Sequence, residues 1–168
     1  MLSLESNKWE ELEDAYGVAK QVPILLYQMK NESTNTYWDY LWASLCHQGS
    51  IYNATFAAIP LIVDYSVEKI NKGNKNNNLF NFLTCVEISR IALGEEIPID
   101  LKNDYFEALK IAQQLIPSFL DKNSDYEALS STLAFQAALK SQIQLAELLL
   151  NMKENEIEKI AQYYYEEL

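Results

Sequence analysis

The chain has 168 residues and a mass of 19.4 kDa, long enough for a single domain that buries a core without disulfides or metals. Thirteen Lys and Arg against 24 Asp and Glu give a net charge of −11 and a pI near 4.5, so free nucleic acid and anionic membranes would be repelled and are excluded as expected partners. A single His and two Cys are too few for a zinc site of His and Cys ligands, a lone Arg90 argues against a phosphate clamp, and no cofactor is expected.

Met1 to Ala15 is acidic and has no basic segment leading into an apolar one, so no signal peptide is expected. The longest apolar run, Phe56 to Val63, is interrupted by Pro60 and falls far short of the roughly 20 residues that cross a bilayer. Cys46 and Cys85 lie among apolar neighbours and read as two buried, reduced thiols, which together place the protein in the cytoplasm.

Four Gly and four Pro punctuate the chain sparingly, and apolar residues recur at steps of three and four, the spacing of helices. Asn7 with Glu10 predicts a capped helix running to Tyr16 and stopped by Gly17. A helix follows over Val22–Met29 with Pro23 in its first turn, then a polar connector at Asn31–Asn35. Thr36–His47 carries Trp38, Leu41, Trp42 and Leu45 on one stripe and ends at Gly49. Asn53–Asn71 is predicted helical with a kink at Pro60, and Lys72–Asn78 is a low-complexity loop. Leu79–Leu93 closes at Gly94, and a connector over Glu95–Ile99 leads to a helix from Asp100 to Phe119, with Pro117 inside it. Ser124 with Glu127 opens a long helix to Leu150, and Asn151 with Glu154 opens the last, ending in Tyr163, Tyr164 and Tyr165. The sum is eight helices and no strand.

Pro23, Pro60 and Pro117 sit in similar apolar strings, QVPILLYQM, AIPLIVDYS and LIPSFLDKN. A helical hairpin cannot bury its apolar face alone, so the expected fold is all-α, one domain over residues 1–168 built of stacked hairpins as a short HEAT-like α-solenoid. The expected pairs are the first two helices, then Thr36 to Asn71, then Leu79 to Phe119, with an irregular bundle as the alternative.

Catalytic motifs are missing from the string: no P-loop, G-x-G-x-x-G, G-x-S-x-G or H-E-x-x-H occurs. Cys46 beside His47 suggests a nucleophile and base, but neighbours on a helix point about 100° apart. His47, Gln48 and Gly49 therefore read as a structural turn, with His47 and Gln48 donating to the last carbonyls of a helix. Tyr37 and Tyr40, three apart and off the Trp stripe, form a candidate binding patch, because Tyr offers a rigid ring with a wet hydroxyl. Tyr163 and Tyr164 qualify likewise, since three consecutive Tyr cannot all point inward. Glu95, Glu96 and Asp100 cluster in a loop within a stretch, residues 95–150, whose net charge is −5; residues 1–15 carry −4 and residues 151–168 carry −3. Such acidic ends would steer a basic protein partner.

The segment WEELEDAYGVAKQVPILL and the string LWASLCHQGSIYNATFAAIPLIV resemble a group of bacterial HEAT-like repeat proteins. That group shares W-x-x-L-x-x-A-Y-G, V-P-x-L-L and L-W-x-x-L-x-H-Q-G-x-x-Y-x-A-(S/T) ahead of a Pro-containing helix. The likeness spans about Trp9 to Val63, through Trp9, Tyr16, Gly17, Trp42, His47, Gln48, Gly49, Tyr52 and Pro60. It implies an α-helical repeat fold without assigned catalysis, some relatives of which look like immunity proteins of polymorphic toxin systems.

The functional expectation is a non-enzymatic binding protein, most concretely an immunity protein that covers a basic toxin domain. The alternatives are a scaffold or regulatory adaptor, or a helical enzyme or small-ligand binder with a pocket between helices.

Overall fold

The computed structural model describes residues 1–32, 36–122 and 124–166, so part of the predicted connector at Asn31–Asn35 lies outside the described residues. Eight α-helices dominate: α1 (Val22–Asn31), α2 (Tyr37–Leu45), α3 (Asn53–Asn71), α4 (Asn78–Leu93), α5 (Lys102–Phe119), α6 (Tyr126–Leu139), α7 (Ile143–Asn151) and α8 (Glu154–Glu166). Two antiparallel hairpins of two-residue strands interrupt them. The first pairs β1 (Glu13–Asp14) with β2 (Gly17–Val18), and the second pairs β3 (Cys46–His47) with β4 (Ser50–Ile51).

The helices form two layers. In one, α1 packs on α3 and α3 on α5; in the other, α4 packs on α6. Within the second layer α2 reaches α4 through aromatic rings, with Phe82 lying 5.9 Å from Trp38 and 5.0 Å from Trp42. The hairpins α1/α2, α3/α4 and α5/α6 bridge the layers, and α7 closes the end against α4 and α6. The fold is thus all-α and made of stacked hairpins, but the pairing is offset by one element from the expected pairs. The cause is local: Asn7–Tyr16 is no helix.

Ser6, not Asn7, caps a single 3-10 turn over Asn7–Glu10, its hydroxyl accepting from the Lys8 N–H. Trp9 is buried there, its indole N–H donating to the Ser3 carbonyl at 2.9 Å. The next residues turn back as β1 and β2. Asp14 supplies a side-chain acceptor for the Tyr16 N–H at 2.8 Å, and Gly17 adopts φ +111°, so Asp-Ala-Tyr-Gly makes a tight turn where the sequence reading had a helix end.

The predicted long helix from Ser124 to Leu150 also divides. Asp125 is the cap of α6, its Oδ1 accepting from the Ala128 N–H at 2.8 Å, while the Ser124 hydroxyl accepts from the Asp121 N–H instead. Ser141 takes φ +56°, and the N–H groups of Ser141 and Gln142 return to the carbonyls of Ala138 and Ala137. The left-handed residue reverses the chain, and the small side chains of Ala134, Ala137, Ala138 and Ala146 let α6 and α7 lie close. Asn151 ends α7 and does not cap α8. By contrast, α3 runs unbroken through Pro60, whose ring is buried.

Phe80 is the hinge of the core. It is fully buried on α4, with the ring of Phe119 on α5 at 4.9 Å and that of Phe135 on α6 at 5.6 Å. Nearby, Glu87 is buried at 3% exposure, where an unpaired charge would be costly. Arg90 grips both its oxygens at 2.7 and 2.9 Å, and the Tyr105 hydroxyl donates to Oε1 at 2.5 Å. Burial first and the Glu87 charge second raise the Tyr105 hydroxyl well above its ordinary range, which keeps it a donor.

Phe80→Ala is expected to lower unfolding stability by about 3–5 kcal/mol in urea titration, whereas Tyr164→Ala on the exposed α8 should stay within about 0.5 kcal/mol. Arg90→Ala strands the Glu87 carboxylate and should cost about 3 kcal/mol by the same measurement.

Candidate aromatic groove

At the junction of α2 and α3 the helix ends leave backbone groups without helical partners, and side chains and turns take them up. The Thr55 hydroxyl donates to the Leu45 carbonyl at 2.6 Å and accepts from the Tyr52 N–H at 3.0 Å. The Ala15 N–H donates to the Ser44 carbonyl at 2.9 Å, and the Glu13 N–H donates to Asn53 Oδ1 at 2.6 Å. These bonds fasten the β1–β2 turn over the end of α2.

The second hairpin stands beside it. Gln48 at φ +51° and Gly49 at φ +81° form a two-residue turn of the kind that matches strand twist. His47, Gln48 and Gly49 thus stand in a strand-to-strand turn and not at the helix end that the sequence suggested, because α2 has already ended at Leu45 and β3 begins at Cys46. Successive strand residues face opposite ways, so Cys46 is buried while His47 is exposed, which separates the thiol from the imidazole. The His47 ring meets Tyr16 edge-on at 6.2 Å, joining the two turns into one wall.

Against that wall lies an open groove of about 650 Å³ between the β1–β2 hairpin, α1 and α2. Tyr16, Val18, Ile24 and Tyr40 line it, each more than half exposed. Asp14 and Lys20 are its charged groups. Asp14 is held by the Tyr16 N–H, and Lys20 pairs with Glu10 at 3.6 Å. Glu11, Glu13 and Asp39, on or next to the same elements, are exposed. Exposed amphipathic rings with a polar rim are the composition that protein interfaces favour in general.

The other expected partner residues scatter. Tyr40 is exposed in the groove, but Tyr37 is buried at 2%, stacked near Trp38 at 5.9 Å with Lys69 Nζ above its ring at 5.1 Å. Tyr37 belongs to the core, because the inward face of α2 is wider than the Trp stripe alone. The cavity beside it, about 10 Å³, admits no more than a water-sized guest. Glu95 and Glu96 are exposed on the α4–α5 connector, bordering a depression shared with Arg90, Lys102 and Phe106. Asp100 pairs with Lys8, so it ties the N-terminal segment to the start of α5. Tyr163 and Tyr164 are exposed on α8 with ring centres 6.0 Å apart. Among the described residues, no hydrogen bond, ion pair or ring contact joins Tyr40, Glu95 and Tyr163.

No family model, curated protein or solved structure matches the chain. Among the described residues, no helix is long and apolar enough to cross a membrane, and no group of three or more His, Cys, Asp or Glu is placed to hold a metal ion.

The sequence reading missed Tyr16, Val18 and Ile24 as surface because it placed the first in a helix. Asp14 and Gly17 bracketing two residues was the signal for a turn. Because Gln48 bears a positive φ without being Gly, Gln48→Asn should raise stability by about 0.5 kcal/mol, and His47→Ala should change it by less than about 0.5 kcal/mol. Thermal unfolding of both variants checks this; a large loss in His47→Ala would return the imidazole to a structural role.

Proposed function

We propose that this protein is a non-enzymatic binding protein that docks a cationic polypeptide at the aromatic groove, most concretely an immunity protein that covers a basic toxin domain. The observation that carries the reading is the groove itself, with Tyr16 and Tyr40 presented on a rigid junction of helices and turns. Exposed aromatic rings on an acidic chain suit a basic surface in two ways. The rings fill apolar depressions at little conformational cost, and the charge of −11 steers the approach. The resemblance of Trp9–Val63 to HEAT-like proteins, some with immunity-like relatives, points the same way; of that pattern, Tyr16 lines the groove and the His47 ring meets it. The same surface would serve a scaffold, which differs only in what it holds.

The test is co-expression of the chain with the cationic polypeptides encoded by neighbouring open reading frames. The expected result is a copurifying partner whose toxicity to the host is suppressed, with association slowed by added salt. Tyr16→Ala and Tyr40→Ala should each weaken capture about tenfold or more while leaving thermal unfolding nearly unchanged. Copurification without toxicity favours the scaffold. Failure of every such polypeptide to bind at low salt removes the reading.

A further inference from the structure

Two buried polar side chains line the aromatic groove with hydrogen-bonding capacity to spare. Asp14 ends β1 and Ser44 lies in the last turn of α2, and the bond from the Ala15 N–H to the Ser44 carbonyl at 2.9 Å sets the two segments side by side. Both residues line the groove, and they are only 7% and 6% exposed. The Tyr16 N–H occupies one oxygen of the Asp14 carboxylate, Oδ1, at 2.8 Å. Among the described residues, nothing donates to the other oxygen, Oδ2, and the Ser44 hydroxyl neither donates nor accepts. No fully enclosed side-chain oxygen among the described residues lacks a partner, so Oδ2 and the Ser44 Oγ reach the surface, and the surface that both residues line is the groove.

A carboxylate held this deep keeps little of its hydration and gains most from a cation that can follow it in. Among the described residues, no Lys, Arg or His does so: Lys20, the basic residue of the groove, turns to Glu10 at 3.6 Å. An ammonium is a compact, strongly hydrated point charge, whereas a guanidinium is planar, sheds water more readily and presents several N–H donors in a fork. Such a fork can serve Oδ2 and the Ser44 hydroxyl together, and its flat face can lie on an aromatic ring. Tyr16 and Tyr40, 72% and 61% exposed, stand on the same groove, and Val18 and Ile24 offer apolar surface to a methylene stem.

We propose that Asp14 and Ser44 form a subsite for an arginine side chain, which the docking partner inserts into the groove beside Tyr16 and Tyr40. The proposal rests on the reading of the groove as the seat of a cationic polypeptide, and it names the side chain that the groove selects. Asp14 then has two tasks: Oδ1 shapes the β1–β2 turn, and Oδ2 reads the cation.

The experiment titrates the isotope-labelled protein with N-acetyl-arginine methylamide, whose ends are uncharged, and follows the backbone amides by NMR. The lysine and citrulline counterparts are titrated in parallel, citrulline keeping nearly the shape of arginine without its charge. Saturable shifts centred on Tyr16, Ile24, Tyr40 and Ser44 are expected with arginine, at a dissociation constant in the millimolar range. Lysine should bind about threefold more weakly and citrulline about tenfold more weakly. Asp14→Asn keeps an acceptor for the Tyr16 N–H, so its melting temperature should stay within about 2 °C of the wild type while its affinity for arginine falls about tenfold. Ser44→Ala should remove the preference for arginine over lysine, and a preference kept in full would strike Ser44 from the subsite. No saturable shift up to about 50 mM arginine probe, an equal response to citrulline, shifts centred away from the groove, or full binding by a folded Asp14→Asn would each overturn the proposal. Should Asp14→Asn fail to fold, the comparison of arginine with citrulline on the wild type decides alone. An arginine probe that binds while no cationic polypeptide is captured removes the docking reading and leaves the subsite; a captured polypeptide with a silent arginine probe removes the subsite and leaves the docking reading.

Discussion

Backbone groups freed where α2 ends and α3 begins must find partners, and the surface of this protein follows from how they do so. A chain that merely looped between the two helices would leave the Ser44 and Leu45 carbonyls to water. Here the Thr55 hydroxyl takes one and the Ala15 N–H takes the other, while Asn53 holds the Glu13 N–H. Each bond is worth only about 1 kcal/mol, yet together they fix the angle of the β1–β2 turn. That angle sets Tyr16 against His47 and leaves Tyr16, Val18, Ile24 and Tyr40 around one open groove.

The body beneath is built on a different principle, apolar burial between two layers. Phe80, Phe119 and Phe135 bring α4, α5 and α6 together, Phe82 joins α4 to α2, and the Glu87–Arg90–Tyr105 network satisfies a charge buried in the same body. Large rings in edge-on contact tolerate little sliding, so the layers form a firm support for the junction. The far end differs: α8 leaves Ile157, Ile160 and three consecutive Tyr open to solvent.

Helices with long apolar periodicity were legible in the sequence. The core of α3, the Trp stripe of α2 and the end of α4 at Gly94 follow from spacing and from a left-handed glycine, which the structure holds at φ +68°. What the sequence hid lies where short polar segments admit two readings. Asp14 to Gly17 and His47 to Gly49 fit a helix end as well as a hairpin turn, because both call for a positive φ at the glycine, and only tertiary bonds decide between them. The split at Ser141 was hidden for a related reason: a non-glycine residue takes the left-handed conformation, and no sequence signal marks it. Tyr37 looked like surface because the width of a buried helix face depends on its neighbours, here Trp38 and Lys69. The groove was out of reach of single-sequence reasoning altogether, since its walls, the β1–β2 hairpin, α1 and α2, are set against one another only by the folded chain.

The most direct measurement is a nuclear Overhauser experiment on the isotope-labelled chain, combined with amide exchange at Ala15. Cross-peaks between the rings of Tyr16 and His47, with a protected Ala15 amide, are the predicted result. Sequential amide cross-peaks running unbroken from Asn7 to Tyr16, with Ala15 protected only by the helix and no contact to His47, would contradict it.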